Sequence, residues 1–212
     1  MAQTTLELRP RLTARETLER RARLLAHTGN GWHLVEFGIA LGAGIAAGSV
    51  ALTSFAGDSL VEVIAASAIV WLFSAGRGAS ATAERRAQQL IAATYLLLAA
   101  YIVSHSLYDL TTNSRPSASW VGIGLAAFTA PTMPLLARAK RRVGHALHSS
   151  ATVSEAGQNQ ICAYLSIALL IGLVLNATLA WWWADPSAAL VIAAVALYEG
   201  RQSWRGDACD SC

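Results

Sequence analysis

The stretch Thr53–Gly76 reads TSFAGDSLVEVIAASAIVWLFSAG, an apolar run that is interrupted near its start by two carboxylates, Asp58 and Glu62. A helix needs about 20 predominantly apolar residues to cross the hydrocarbon core of a bilayer. This stretch meets that length with few charges. It therefore predicts a transmembrane helix that carries two ionisable side chains.

The composition of the whole chain also favours a membrane protein. Of its 212 residues, 54% are hydrophobic and 14% are charged, against about 25% charged in an average soluble domain. The charges cluster between long apolar runs, so the net charge of +3 indicates basic connections and not a nucleic-acid-binding face. The first 28 residues lack the apolar core of a signal peptide, so the first span itself would direct insertion.

Six apolar runs in all predict an all-α membrane protein, a six-transmembrane-helix bundle over residues 29–200. A cytosolic amphipathic segment (residues 1–28) precedes it, and a short cytosolic tail with two cysteines (residues 201–212) follows. The six spans are predicted at Gly31–Val50, Thr53–Gly76, Gln89–Leu110, Trp120–Leu136, Asn159–Leu179 and Trp181–Leu197.

Basic residues predict the orientation of this bundle. They lie in the N-terminal segment, in the connections after spans two and four, and in the tail, whereas the other connections contain only Arg115. Cytoplasmic loops of membrane proteins carry an excess of Lys and Arg. The sequence therefore predicts an integral protein, of a bacterial inner (plasma) membrane, with both termini in the cytoplasm.

Asp58 and Glu62 are the strongest candidates for a metal site. Their spacing of four places both carboxylates on one helix face, where the two charges repel. A bound divalent cation or a proton removes that repulsion, so the pair could alternate between the two, as an antiporter requires. The alternative for Asp58 is a helix cap at the outer interface.

Span five offers further candidate ligands in two alternative registers. Gln158 and Cys162, four residues apart, would supply a neutral oxygen and a soft sulfur suited to zinc, although a lone membrane cysteine is more often apolar packing. A shifted register replaces them with Glu155 and Asn159, an all-oxygen pair for a harder cation. If Gln158 and Cys162 are the ligands, Glu155 is either a ligand on the entry path of the metal or an acid in the first helical turn.

Five other residues are weaker candidates for metal binding. His33 and Glu36 in span one and His105 in span three could be ligands, or packed or interfacial polar side chains. Cys209 and Cys212 form a C-x-x-C pair in the tail, which could capture a metal ion or lie in a disordered segment.

Two stretches resemble the cation diffusion facilitator family of transporters. Ala47–Leu52 (AGSVAL), then Phe55 and Asp58–Glu62 (DSLVE), resemble that family's second transmembrane helix, and Trp181–Pro186 (WWWADP) resembles its link between helices five and six. The resemblance extends from about Arg20 to Gly200. It implies a metal site between helices two and five, and exchange of cytosolic divalent metal, commonly zinc, for protons by alternating access.

Carried over by residue, the resemblance makes Asp58 and Glu62 the ligands of helix two. The family's usual H-x-x-x-D pair of helix five falls on Gln158 and Cys162, so this chain has neither the His nor the Asp. The usual cytosolic dimerisation domain is also missing, as in a compact branch of the family. A homodimer would then form through membrane helices, and the cysteine-containing tail could replace metal capture.

The expected function is a divalent metal/proton antiporter that exports metal from the cytosol and has no enzymatic activity or prosthetic group. Zinc is the first candidate cargo, with Fe²⁺, Mn²⁺ and Co²⁺ as alternatives. A membrane metal sensor or interaction protein that does not transport is the alternative, and a membrane enzyme is disfavoured because no metalloprotease motif is present. The expected partners are the lipid bilayer, metal ions, protons and a second copy of the chain, and not nucleic acid.

Overall fold

A computed structural model describes the backbone of residues 2–74 and 81–205, which contains helices and no strand. The all-helical prediction is therefore confirmed for this part of the chain. Cys209 and Cys212, the predicted tail ligands, lie outside the described residues. The six helices are α1 (Ala2–Ala47), α2 (Val50–Ser74), α3 (Ala81–Thr112), α4 (Trp120–Leu147), α5 (Ser150–Leu179) and α6 (Ala184–Arg205).

Four of these helices are long and apolar enough to span a membrane, which is consistent with an integral membrane protein. The qualifying stretches are Val50–Ala68 in α2, Arg85–Thr112 in α3, Trp120–Leu147 in α4 and Glu155–Leu179 in α5. The apolar part of α1 contains Asn30, His33 and Glu36, which lower its mean hydropathy, and the apolar run of α6 is much shorter than about 20 residues. The count of six spans stays a prediction.

The helices pack as a ring of four with a pair beside it. α1 packs along α2, and α4 packs along α5; α1 also contacts α4, and α2 contacts α5, which closes the ring. α3 and α6 pack on each other and lie against α2 and α5. Because only a short turn joins them, α1 and α2 are antiparallel neighbours. The interior of the ring is the place where side chains from four helices meet.

The outer surface of the bundle is apolar, and part of its interior is polar. Leu97, Trp120, Val121 and Leu135 are largely exposed on the outside. Lipid tails are as apolar as leucine, so a membrane-facing surface has no need to bury such side chains. Polar side chains inside a membrane helix bundle, by contrast, usually mark function.

The α1–α2 and α5–α6 turns meet at the carboxylate of Asp185. The turn after α1 passes through Gly48, whose φ of +65° favours glycine. Ser49 then caps α2, because its Oγ accepts a hydrogen bond from the Leu52 backbone N–H. Asp185 accepts one hydrogen bond from Ser49 Oγ (2.5 Å) and another from the Ala51 N–H (3.1 Å). The acid therefore joins the two turns and stabilises the N-terminus of α2.

Several helix boundaries differ from the predictions. α4 continues to Leu147 and α5 begins at Ser150, so most of the predicted loop between spans four and five is helical. α6 begins at Ala184, after the three tryptophans that were predicted to open span six. α1 is continuous across residue 28, and its Ala22 and Ala26 pack with apolar side chains of α2, α3 and α4.

Candidate metal site

Three potential metal ligands meet where α2 faces α5 inside the ring. Asp58 and Glu62 lie on one face of α2, and Cys162 lies opposite them on α5; their ligand atoms are within 4.8 Å of one another. All three side chains are buried. Around a tetrahedral zinc ion, neighbouring oxygen and sulfur ligands are about 3.3–3.8 Å apart. These three residues, here called the acid–thiol cluster, are thus close enough to bind one ion after small rotations.

Asp58 makes this cluster chemically unusual. Its Oδ2 atom is buried and has no hydrogen-bond partner among the residues that the structure describes. An unsatisfied buried polar group costs about 1–3 kcal/mol, and a charged group costs more. The residue lies well inside α2, which begins at Val50, so the alternative of a helix cap is wrong. A bound cation or a proton would supply the interaction that this oxygen lacks.

His33 and Glu36 of α1 approach the same Glu62. His33 Nδ1 lies 2.8 Å from Glu62 Oε2 and 3.2 Å from Glu36 Oε2. Glu36 also accepts hydrogen bonds from Ser59 Oγ (3.0 Å) and Thr129 Oγ1 (2.5 Å). His33, Glu36 and Glu62 form a second group whose ligand atoms lie within 4.8 Å of one another. This group is called the histidine–acid cluster below.

The face of α5 that meets Glu62 combines one residue from each predicted register. Asn159 Nδ2 donates to Glu62 Oε1 (2.8 Å) and lies 3.1 Å from His33 Nε2. Cys162, three residues later, lies on the same side of α5. Gln158 is buried, and its amide atoms have no hydrogen-bond partner within the described part of the chain, so its role as a ligand stays a prediction.

Glu155 is engaged in a different interaction. Its carboxylate forms a buried ion pair with Lys140 of α4. Gly29 of α1 leaves the space for this lysine, because a Cβ atom there would lie 3.1 Å from Lys140 Nζ. The sequence places Lys140 in the loop after span four, and this placement is wrong because α4 extends past Lys140 and buries it. Glu155 is thus paired with a cation and is a member of neither cluster.

His105 is not part of either cluster. It lies on α3, outside the ring, with 44% of its side chain exposed and Asp109 3.7 Å away. The i,i+3 spacing of His33 and Glu36 was the sequence signal for the second cluster. What the sequence could not show is that α1 turns this face toward Glu62.

No protein-family model matches the chain, and no curated protein matches its sequence. The resemblance to cation diffusion facilitators therefore stays a prediction, based on the two stretches quoted above.

Proposed function

We propose that this chain is a transporter of divalent transition-metal cations, which it exchanges for protons across a membrane. The acid–thiol cluster is the observation that carries the proposal. It places two carboxylates and a thiol within 4.8 Å of one another, buried between two helices that are each long and apolar enough to span a bilayer. Ionisable side chains inside membrane helices raise the free energy of the folded protein unless they bind an ion or pair with an opposite charge.

The balance of buried charge supports an exchange of cation for protons. Around the two clusters and the Lys140 ion pair, four acids and two bases are buried, which leaves an excess of two negative charges when all are ionised, and a metal-bound Cys162 thiolate would add a third. Bound divalent metal or bound protons reduce that excess. Exchange of each divalent cation for two protons leaves the buried charge unchanged and avoids the cost of an uncompensated charge. The groups are Glu36, Asp58, Glu62, Glu155, His33 and Lys140.

The donor atoms favour zinc as the cargo. Two carboxylates and one thiol suit Zn²⁺ or Fe²⁺, whereas Mn²⁺ prefers oxygen ligands throughout. Asn159 is the amide that contacts Glu62, and Gln158 remains a predicted neutral oxygen ligand. We therefore assign the transported ion to Asp58, Glu62 and Cys162.

The proposed topology has six membrane crossings. α1 and α6 do not qualify by composition, but each runs alongside helices that do: α1 along α2 and α4, and α6 along α3. An even number of crossings places both ends on one side, and the basic residues assign that side to the cytoplasm. Lys140 and Glu155 then lie toward the cytoplasm, and Asp185 lies toward the opposite side.

The proposal also includes a location and an assembly. The protein would reside in a bacterial inner membrane and export metal from the cytosol. A homodimer would use lipid-facing helix surfaces, where large apolar side chains such as Leu97 are exposed. Because both clusters are buried from both sides, transport requires the ring to open at one end at a time, which is alternating access.

A metal sensor that binds without transporting is the second candidate function. It would use the same buried ligands but would need no aqueous path to them. The two functions differ in one observable property, namely the movement of metal through the protein, and a flux measurement therefore separates them.

The decisive experiment measures zinc flux into proteoliposomes under an imposed pH gradient. Wild-type protein should transport zinc, and Asp58→Ala and Cys162→Ala should each lose at least 100-fold in rate. His105→Ala is the matched control, since His105 lies outside the ring, and its flux should equal that of the wild type. Zinc binding without gradient-dependent flux in the wild type would favour the sensor, and unchanged flux in Asp58→Ala would contradict the assigned site.

A further inference from the structure

The histidine–acid cluster lies directly beside the proposed cargo site and shares Glu62 with it. We propose that His33, Glu36 and Glu62 form a second divalent-cation site, filled together with the acid–thiol site and bridged to it by the Glu62 carboxylate. This inference rests on the proposed function, because it assigns a second ion to the same ring of helices. It concerns a ligand set with a nitrogen donor, which the acid–thiol site lacks.

The distances in this cluster are close to those of a metal site. His33 Nδ1 lies 2.8 Å from Glu62 Oε2 and 3.2 Å from Glu36 Oε2. Nitrogen and oxygen ligands bound to a tetrahedral zinc ion at about 2.0–2.2 Å are about 3.3–3.6 Å from one another. The three side chains therefore need to separate by only about half an ångström to admit a cation. All three are buried, and each comes from a helix of the ring.

The surrounding side chains hold Glu36 in the manner of a metal ligand. Thr129 Oγ1 donates to one of its carboxylate oxygens and Ser59 Oγ donates to the other. Metal-binding carboxylates in proteins are typically oriented by such outer hydrogen bonds. Two hydroxyls from two different helices thus fix a carboxylate that already points at His33.

Asn159 provides an independent indication of a missing ligand. Its Nδ2 lies within 3.1 Å of His33 Nε2 and donates to Glu62 Oε1, so it orients two of the three residues. Its Oδ1 is buried and accepts no hydrogen bond from any residue that the structure describes. Buried amide oxygens are normally satisfied. With His33 bound to a cation through Nδ1, its proton would lie on Nε2, and rotation of the Asn159 amide would then give this oxygen a partner.

The charges match two divalent cations. With both sites filled, Glu36, Asp58, Glu62 and the Cys162 thiolate contribute four negative charges, since a metal-bound thiol is deprotonated. His33 binds as a neutral ligand, and the nearby Lys140–Glu155 pair cancels itself. Two divalent cations neutralise this set. Carboxylate-bridged metal pairs of this kind have the ions about 3.5–4 Å apart.

The two sites differ in donor atoms, so a single probe ion can distinguish them. Co²⁺ bound to a thiolate gives a sulfur-to-metal charge-transfer band, and Co²⁺ bound only to nitrogen and oxygen does not. The full chain, purified in detergent, should bind two Co²⁺ ions and show the band. Glu36→Gln should bind one and keep the band, whereas Cys162→Ser should lose the band and still bind Co²⁺. His105→Ala should match the wild type.

A measurement on the wild type alone guards against a variant that fails to fold. Two Mn²⁺ ions at the expected separation are magnetically coupled, and the electron paramagnetic resonance spectrum of the loaded protein should show that coupling. One Co²⁺ per chain with the band, together with an uncoupled Mn²⁺ spectrum, would overturn the second site and leave the transporter proposal intact. Two Co²⁺ ions retained in folded Glu36→Gln would also overturn it. No Co²⁺ binding at all would contradict both proposals.

Discussion

Asp58 and Asp185 are both buried aspartates, but their surroundings differ. Asp185, where α6 begins, accepts hydrogen bonds from Ser49 Oγ and the Ala51 N–H, so both of its oxygens are satisfied. Asp58, inside α2, has an oxygen with no hydrogen-bond partner in the described part of the chain, and it lies next to a second carboxylate and a thiol. Burial alone does not separate the two residues, whereas hydrogen bonding does.

This difference indicates which acid stabilises the fold and which one binds a ligand. A carboxylate that is fully paired with the chain lowers the free energy of the folded state and has no capacity left for a ligand. A carboxylate that the chain leaves unpaired raises that free energy until a ligand arrives. The comparison can be tested by exchanging each acid for its amide or for alanine.

The largest expected effect is that of Asp58→Asn on metal binding. The amide keeps the shape but removes a charged ligand, so binding of the zinc ion at the acid–thiol site should be lost while the unfolding temperature stays the same or rises, because repulsion with Glu62 is relieved. Calorimetric titration with zinc and a thermal unfolding scan in detergent measure the two quantities. An unchanged number and affinity of bound zinc ions would show that Asp58 is not a ligand.

The second effect concerns the buried pair of Lys140 and Glu155. Lys140→Met should destabilise the protein by about 3–5 kcal/mol, because it leaves a buried carboxylate without its partner. Adding Glu155→Gln should restore most of that loss, since the uncompensated charge disappears. Denaturant unfolding of the single and double variants measures this. Equal losses in both variants would mean that packing, and not charge, determines the stability of this region.

The third effect is that of Asp185→Ala on stability. Loss of two charge-assisted hydrogen bonds at the start of α2 should cost about 1–3 kcal/mol. Zinc affinity of the folded protein should be unchanged, in contrast to Asp58→Asn. A thermal unfolding scan and calorimetric titration with zinc measure the two quantities, as for Asp58→Asn. A loss of affinity without a loss of stability would remove the distinction between the two aspartates.

The smallest effect is expected from Gly29→Ala. Alanine favours a helix over glycine by about 1 kcal/mol, but its Cβ would press on Lys140 Nζ, at 3.1 Å. Gly38→Ala is the matched control in the same helix, because nothing lies within 4 Å of its Cβ position. Gly38→Ala should raise the unfolding free energy by more than Gly29→Ala does. Equal gains would show that Lys140 moves aside freely.

The sequence predicted the parts of the fold and site that depend on local spacing. The apolar runs predicted the helices, and the four-residue spacing of Asp58 and Glu62 predicted that both face the same neighbour, as they do. Local spacing could not determine how α5 is rotated about its own axis. The structure pairs Cys162 with Asn159, whereas the two predicted registers paired each of them with a different residue.

Lys140 shows a second limit of prediction from the sequence. Its neighbours Arg138, Arg141 and Arg142 are charged, which is typical of a cytoplasmic loop. The helix nevertheless continues through this segment, and Lys140 alone turns inward to meet Glu155 from another helix. The position of His33 could not be predicted for the same reason, because its contact with Glu62 joins residues that are far apart in the chain.

The junction at Asp185 has a mechanical consequence for the proposed transport cycle. Its hydrogen bonds hold the turn between α1 and α2 against the start of α6, so the helices at this end of the bundle would stay in place when the hairpins rotate. Rocking of the α1–α2 hairpin against the α4–α5 hairpin would then move atoms farthest at the opposite end. Spin labels at Leu24 and Arg141 should change separation by several ångströms when metal binds, whereas labels at Ile45 and Val121, on the same two helices, should hardly move. With one end fixed, a rotation of a few degrees would separate the helices at the opposite end enough to expose a deeply buried ion. The fixed end would remain closed.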